Sequence, residues 1–308
     1  MVSSFPGVQY GPLHYRNLEL AKIQALKIAR GKYDSMMDVT DDMKNDITWW
    51  LNYLEAAFGL ILRDNPDIVL NTDAFLQGWG AVCEDLTAQG QFLPSEIQQN
   101  GANINALELL AIQYGLQCFA TKLENKHVLI ECDNTTAVSY INNMGGTHST
   151  LCKNFAKSIW LWSINNNTWL TATHIPGKDT TVADFQSRHF NERTEWELDS
   201  EVFKMITDKL GQPKIDIFAT YQNTKLPCYY SWKPDPGANH IDAFTISWHG
   251  PLIYCFPPFS LLGQCLQKNS MDPADAIVVI PKWLTQSYYT KAMDMLVCQS
   301  LLLPRTKR

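Results

Sequence analysis

The chain lacks the features that mark several large protein classes. It has no Cys-x-x-Cys pair and no Cys/His cluster at zinc spacing, and its eight cysteines, at positions 83, 118, 132, 152, 228, 255, 265 and 298, are scattered. That scatter excludes a zinc finger or a closely stapled secreted scaffold and predicts the free thiols of an intracellular protein. No apolar run approaches the ~18 residues of a membrane span. The opening MVSSFPGVQYGPLHYRN has no basic-then-apolar order of a signal peptide, so a soluble chain without membrane contact is expected. There is no Tyr-x-Asp-Asp pair to form a polymerase centre, no internal repeat and no low-complexity tract. Gly145 and Gly146 have no strand before them and no lysine after them, which excludes a phosphate-cradling loop and leaves a turn between helices.

Positive charge is also scarce. The whole chain carries 25 Lys and Arg against 31 Asp and Glu, and between Asp67 and Arg188 the balance is 6 against 11. Phosphate contacts are made chiefly by Lys and Arg, so this balance excludes a generic high-affinity nucleic-acid binder unless bound metal or another module offsets the charge.

What is present is a folded chain, with 45% hydrophobic residues and 10 Trp over 308 residues, long enough for two domains and a shorter segment. Residues 1–66 read as a helical lead-in: Leu18, Leu20, Ile23, Leu26 and Ile28 recur at near-helical spacing, followed by Ile47, Trp49, Trp50, Leu54 and Phe58. Thr40, ahead of Asp41 and Asp42, is placed to cap the second helix. From Asp67 the period changes. IVLNTDAF, GWGAVCED and QGQFL read as strands, INALELLAIQYGLQCFATKL as a helix and HVLIECD as a fourth strand. NTTAVSYINN and STLCKNFAKSIWLWSINNN read as helices, TWLTATHI as a strand, PGKD as a loop and TTVADFQSR as a last helix. This order predicts an α/β layer fold over 67–190. After it, KIDIFA, LIYCF and AIVVIP read as short buried strands, with LLGQCLQKN and YYTKAMDMLV as helices, giving a small α/β module over 191–308.

Four acids stand where an apolar or neutral residue would cost less. Asp73 follows the apolar run Ile68 to Leu70, Asp133 terminates VLIEC, Glu108 lies among Leu107, Leu109 and Leu110, and Asp184 lies beside Val182 and Phe185. Buried carboxylates need partners or metal. Each acid also has an ordinary reading: Asp73 as a turn former, Glu108 as an exposed helix residue, Asp133 as a cap and Asp184 as a dipole partner. Trp160, Trp162 and Trp169, set amid Ile159, Leu161 and Ile164, read as core packing and not as a base-stacking platform.

VLNTDAFLQGWGAV, INALELLAI, VLIECDNTTAVSYIN and HIPGKDTTVADFQSR resemble, in order, the four motifs of the ribonuclease H (RNase H) domain of retrotransposon polyproteins, especially the DIRS-like elements that use a tyrosine recombinase. The resemblance covers about residues 67–190. GPLHYRNLELAKIQALK and DITWWLNYL are similar to the segment joining reverse transcriptase to RNase H in those elements. The resemblance implies a five-stranded mixed sheet with flanking helices and a metal-dependent endonuclease that cuts the RNA strand of an RNA/DNA hybrid. It implies two Mg²⁺ or Mn²⁺ ions, with Asp73 bridging, Glu108 and Asp133 on one ion and Asp184 on the other, and a reverse transcriptase polymerase as partner. It further implies that His174 assists proton transfer, the other reading being a loop histidine with no role. Asn134 and Thr135 are placed to reach substrate phosphate or sugar hydroxyls, and Gln77 and Trp79 to line the substrate groove or pack the hairpin. The other reading is a non-catalytic nucleic-acid or protein-binding remnant of a mobile element. IDIFATYQN, IDAFTISWHG, LIYCFPPFS and AIVVIPKW resemble a DNA adenine methyltransferase. That family has an Asn or Asp before the Pro-Pro-aromatic turn; Phe256 stands there, ahead of Pro257, Pro258 and Phe259, and no glycine-rich turn precedes it. A degenerate module that neither methylates nor binds S-adenosylmethionine tightly is therefore expected.

Overall fold

The computed structural model describes residues 7–55, 58–60, 63–101, 103–176, 181–188 and 196–304. The chain divides into two compact units, Met1–Arg188 and His189–Arg308.

In the first unit the lead-in forms α1 (Arg16–Ile28) and α2 (Asp41–Tyr53). Thr40 caps α2 as expected, its hydroxyl oxygen accepting from the Met43 N–H at 3.4 Å. The two helices are joined by buried polar bonds more than by an apolar seam. The Asp46 carboxylate accepts from the Asn17 backbone and side-chain nitrogens, both at 3.1 Å, and Trp50 Nε1 donates to the His14 carbonyl at 2.9 Å. The expected apolar stripes are only partly used. No residue of α1 is fully buried, Ile28 is exposed, and α2 stops at Tyr53, with Leu54 and Phe58 beyond it exposed.

The sheet comprises β1 (Ile68–Phe75), β2 (Gly78–Cys83), β3 (Leu86–Gln91), β4 (His127–Cys132) and β5 (Trp169–His174), in the order β3-β2-β1-β4-β5. β1, β2 and β3 are mutually antiparallel, while β4 and β5 run parallel to β1. This is the five-stranded mixed sheet with flanking helices that the RNase H resemblance implies. Central position explains why β1 is buried on both faces from Thr72 to Ala74. Glu84 and Asp85, read as the end of a strand, instead form the two-residue turn between β2 and β3, with Glu84 at φ 54.

The helices are α3 (Pro94–Asn100), α4 (Ile104–Cys118), α5 (Ala120–Leu123), α6 (Thr135–Asn142), α7 (Thr150–Asn165) and α8 (Thr181–Arg188). The long run INALELLAIQYGLQCFATKL thus breaks at Phe119, and α3 has no counterpart in the sequence reading. Its start is fixed by Glu96, whose carboxylate accepts from the Leu93 N–H at 2.7 Å and also bonds the Tyr114 hydroxyl. α4 lies against β1 and β2 and is buried on nearly every side. Gly145, at φ +115, makes the turn between α6 and α7 in a conformation that other residues resist. The expected PGKD loop falls largely outside the described residues, which resume at Thr181 after Pro176.

The second unit contains α9 (Ser200–Leu210), β6 (Ile215–Asp216), β7 (Tyr230–Ser231), β8 (His240–Ile241), β9 (Ile253–Cys255), α10 (Leu262–Met271), β10 (Ala276–Val278) and α11 (Ser287–Asp294). β10, β9 and β6 pair in that order, all parallel, with Val202 and Ile206 of α9 packed with Tyr254 and Ile277 and Cys265 of α10 packed with Ile253 and Cys255, so a small parallel layer forms with strands shorter than their apolar runs suggest. α9 was not anticipated. Phe256 packs with Val202, Ile206 and Tyr254 in the core of this unit. All eight cysteines are free, and among the described residues no helix is long and apolar enough to cross a membrane.

Trp160 is 1% exposed, packs edge-on against Tyr10 and Trp169, and donates from Nε1 to the Ile141 carbonyl at 3.0 Å. Trp160→Ala should therefore cost about 3–5 kcal/mol of stability in a urea titration; an unchanged unfolding midpoint would contradict its place in the core.

Candidate metal centre

The sheet brings the acids together because β1 and β4 are adjacent and parallel, so both end at the same edge. Asp73 lies near the end of β1, opposite Gly80 of β2, and is 4% exposed. Asp133 follows the last residue of β4 and is exposed. Glu108, in the second turn of α4, is held against β1 and is 3% exposed. One ligand oxygen from each of Asp73, Glu108 and Asp133 lies within 4.8 Å of the others. Among the described residues this is the one group of three or more such side chains at that spacing.

Burial, and then the charges of Asp73 and Asp133, push the Glu108 carboxyl up to about 9, against a backbone hydrogen bond from Ala74. Asp73 is also raised, first by burial; the Ser187 hydroxyl and Arg188 oppose this, while Asp133 and Asp184 add to it. Glu108 Oε2 is fully buried and has no hydrogen-bond partner among the described residues. A buried carboxylate oxygen without a donor beside two further carboxylates suits a hard cation, whose charge would satisfy all three. The residues present fit a divalent metal ion.

The remaining expected residues occupy different positions. Asp184, on α8, lies outside the group of three; it acts on Asp73 through its charge, and Arg188 grips its Oδ1 from Nε at 2.6 Å and from Nη2 at 2.5 Å. His174 ends β5, exposed, in register with Cys132 just before Asp133. Asn134 caps α6, its Oδ1 accepting from the Ala137 N–H at 2.9 Å, while its Nδ2 donates to Asn105 Oδ1 at 2.9 Å. Both ends of that side chain are thus engaged within the protein. Thr135 opens α6, exposed, and Gln77 is exposed at the turn between β1 and β2. Trp79 packs the hairpin at 1% exposure against Tyr114.

Sequence reasoning missed Ser187. Its hydroxyl donates to Asp73 Oδ2 at 2.6 Å and is fully buried. The only signal was its place one turn after Asp184. It also missed the Arg188 clamp, although the spacing of four from Asp184 is that of a helical ion pair.

The sequence family described as Reverse transcriptase-like matches residues 52–189. The Enzymatic polyproteins of Cauliflower mosaic virus, strains D/H and Strasbourg, are each 28% identical to this chain over 137 residues, 40% of this chain and 19% of the relative. The chain therefore spans less than a fifth of the length of the curated relatives it matches. Among solved structures, RNase H1 from the halophilic archaeon Halobacterium salinarum NRC-1 aligns at 14% identity over 39% of this chain and 92% of that one, with a TM-score of 0.30. LC11-RNase H1 in complex with an RNA/DNA hybrid aligns at 20% identity over 39% and 93%, with a TM-score of 0.31. Residues 52–189 thus match the family described as Reverse transcriptase-like and are similar to part of a viral enzymatic polyprotein.

The raised Glu108 sets the pH dependence of the metal-free protein. Its ordinary value is 4.5, and in the folded chain the proton is held to about 9, so between these values the folded state binds more protons than the unfolded one. Stability from this group is present below pH 4.5 and is lost as pH rises through about 9. In chelator, wild-type protein should melt lower at pH 8 than at pH 6, and Glu108→Gln should flatten that slope. Parallel slopes for the two proteins would count against the burial of an ionisable Glu108.

Proposed function

We propose that residues 67–190 form a metal-dependent endonuclease that hydrolyses the RNA strand of RNA/DNA hybrids. The observation that carries this reading is the convergence of Asp73, Glu108 and Asp133, with a buried and unpartnered oxygen on Glu108. Asp73, Glu108 and Asp133 would hold one Mg²⁺ or Mn²⁺ ion, and Asp73 and Asp184 would hold a second. When bound, the ions supply a nucleophilic water at neutral pH and offset the charge that develops on the attacked phosphate and its leaving oxygen.

The chain's own residues do the rest. Asp73 and Glu108 are fixed by burial, so they need no reordering when substrate arrives. His174 stands exposed at the end of β5, where an imidazole can carry a proton to or from solvent. Thr135 and Gln77 are exposed near the acids' ends of α6 and β1 and can reach sugar or phosphate oxygens, while Asn134 contributes by holding α6 in place. The hybrid is the substrate class suggested by the RNase H likeness, in which ribose 2′-hydroxyls and duplex shape are read. The polyprotein relatives suggest a reverse transcriptase polymerase as partner, with residues 1–66 as the connecting lead-in. We further propose a DIRS-like origin and an intracellular site of action. Residues 191–308 form a separate module that resembles a degenerate DNA adenine methyltransferase, in which Phe256 cannot accept the target amino group's hydrogens.

A second reading, a non-catalytic binding remnant, draws on the Arg188 clamp that occupies Asp184 and on the acidic balance of the domain. The two separate in one assay with a labelled hybrid at low salt and Mn²⁺. Wild-type protein should cut the RNA strand and spare single-stranded RNA and duplex DNA. Asp133→Asn should abolish cutting, and His174→Ala should slow it by up to ~10²-fold. Raising the salt should weaken activity, since few cations grip the phosphates. An intact hybrid in the presence of either metal at low salt would replace the nuclease with the remnant.

A further inference from the structure

We propose that Ser187 is the positioning residue of the metal centre: it sets the Asp73 carboxylate through a direct hydrogen bond, and Gly80 makes that bond possible by admitting α8 against the sheet. The inference rests on the metal-centre reading above and adds to it the device that aims its most buried strand acid.

Ser187 is 0% exposed, and its hydroxyl has two acceptors in reach, Asp73 Oδ2 at 2.6 Å and the Asp184 carbonyl at 2.9 Å. One hydroxyl proton serves one acceptor well. The distance to Asp73 is that of a charge-assisted O–H to carboxylate bond, roughly twice as strong as a neutral one. The carboxylate is thus the better acceptor of that single hydroxyl hydrogen, with the Asp184 carbonyl the alternative acceptor on its own helix. Asp73 Oδ2 is tied to α8, and the rotation of the carboxylate about its own axis is blocked.

The second observation comes from the opposite strand. Gly80 is the direct cross-strand partner of Asp73. A Cβ on Gly80 would stand 2.3 Å from the Ala183 carbonyl oxygen, 2.8 Å from Gln186 Cβ and 2.9 Å from the Ser187 nitrogen. Two of these three are backbone atoms of α8, which cannot give way as a flexible side chain would. The helix backbone therefore fills the space a side chain would take, and the same rung of the ladder that carries Asp73 also fixes the height of α8. That helix delivers Ser187 to Asp73, and one turn earlier carries Asp184 into electrostatic reach of the same acid. Nothing in the arrangement has Ser187 touching substrate; it acts through Asp73.

The test titrates full-length protein with Mn²⁺ and follows thermal stability, with hybrid cleavage measured alongside. Partners that orient a metal ligand are worth about 10- to 100-fold in metal affinity. Ser187→Ala should raise the Mn²⁺ half-saturation by that factor and lower kcat, with KM for the hybrid unchanged and kcat regained at saturating Mn²⁺. Ser187→Cys, with a weaker donor of similar size, should fall between the two, and it serves the same titration if the alanine variant does not fold. Ser163→Ala removes another fully buried serine, one that bonds the Thr168 carbonyl away from the acids; it should lower the melting temperature without moving the half-saturation. Gly80→Ala should weaken Mn²⁺ binding by displacing α8. A wild-type half-saturation in both Ser187 variants overturns the inference while leaving the nuclease reading intact. Metal binding that depends on Ser187 without any hybrid cleavage supports the inference and overturns the nuclease reading. A wild-type protein indifferent to Mn²⁺ overturns both.

Discussion

The mutual repulsion of carboxylates held close together in a buried place governs this domain. Removing an acid from water is costly, and placing it beside two others adds to the cost, so every element around the group serves to hold what would otherwise separate. The parallel pairing of β1 and β4 brings two acids to one sheet edge, and α4 presses the third against them. α8 supplies the counterweights, a hydroxyl to Asp73 and a guanidinium to Asp184. The site is thus a place where the fold works against local preference, as functional sites do when a sequence is otherwise self-consistent.

Much of the first unit was legible because its signals are local. The run IVLNTDAF is bounded by turn-forming residues, and β1 spans those eight residues. NTTAVSYIN carries its own cap in Asn134, and Thr40 announces α2 in the same way. The three acids that approach one another were visible as charges interrupting apolar runs. What was hidden depends on tertiary approach. Ser187 is an unremarkable polar residue until Gly80 lets α8 close on the sheet, and the engagement of Asn134 with Asn105 requires α4 and α6 to be neighbours. Apolar periodicity in the lead-in misled for the converse reason: Leu54 and Phe58 continue a helical stripe in sequence, but the helix ends at Tyr53 and both side chains are exposed. In the second unit the apolar runs were recognised, but only two or three residues of each pair as strand, because this small sheet is held as much by side-chain bonds as by its ladder. Asp235, for instance, ties the Tyr229 hydroxyl and the Tyr221 N–H within the aromatic loop.

The shortage of positive charge shapes the chemistry as much as the acids do. Among the described residues Arg188 is the one basic residue whose charge acts on Asp73, and it is paired with Asp184. Substrate phosphates approaching this edge would meet carboxylates first. A divalent cation held by those carboxylates would offset most of their negative charge, so that the approach of a phosphate to this edge would depend on the bound ion.

The amide-to-amide bond between Asn134 and Asn105 has a mechanical meaning. Asn134 adjoins Asp133 at the head of α6, and Asn105 lies three residues before Glu108 near the start of α4. The bond therefore joins the carriers of two acids by their neighbouring residues, and the distance between those acids is a property of the backbone scaffold. The trio of Asp73, Glu108 and Asp133 is preorganised: the electrostatic work of bringing these acids together is done while the chain folds.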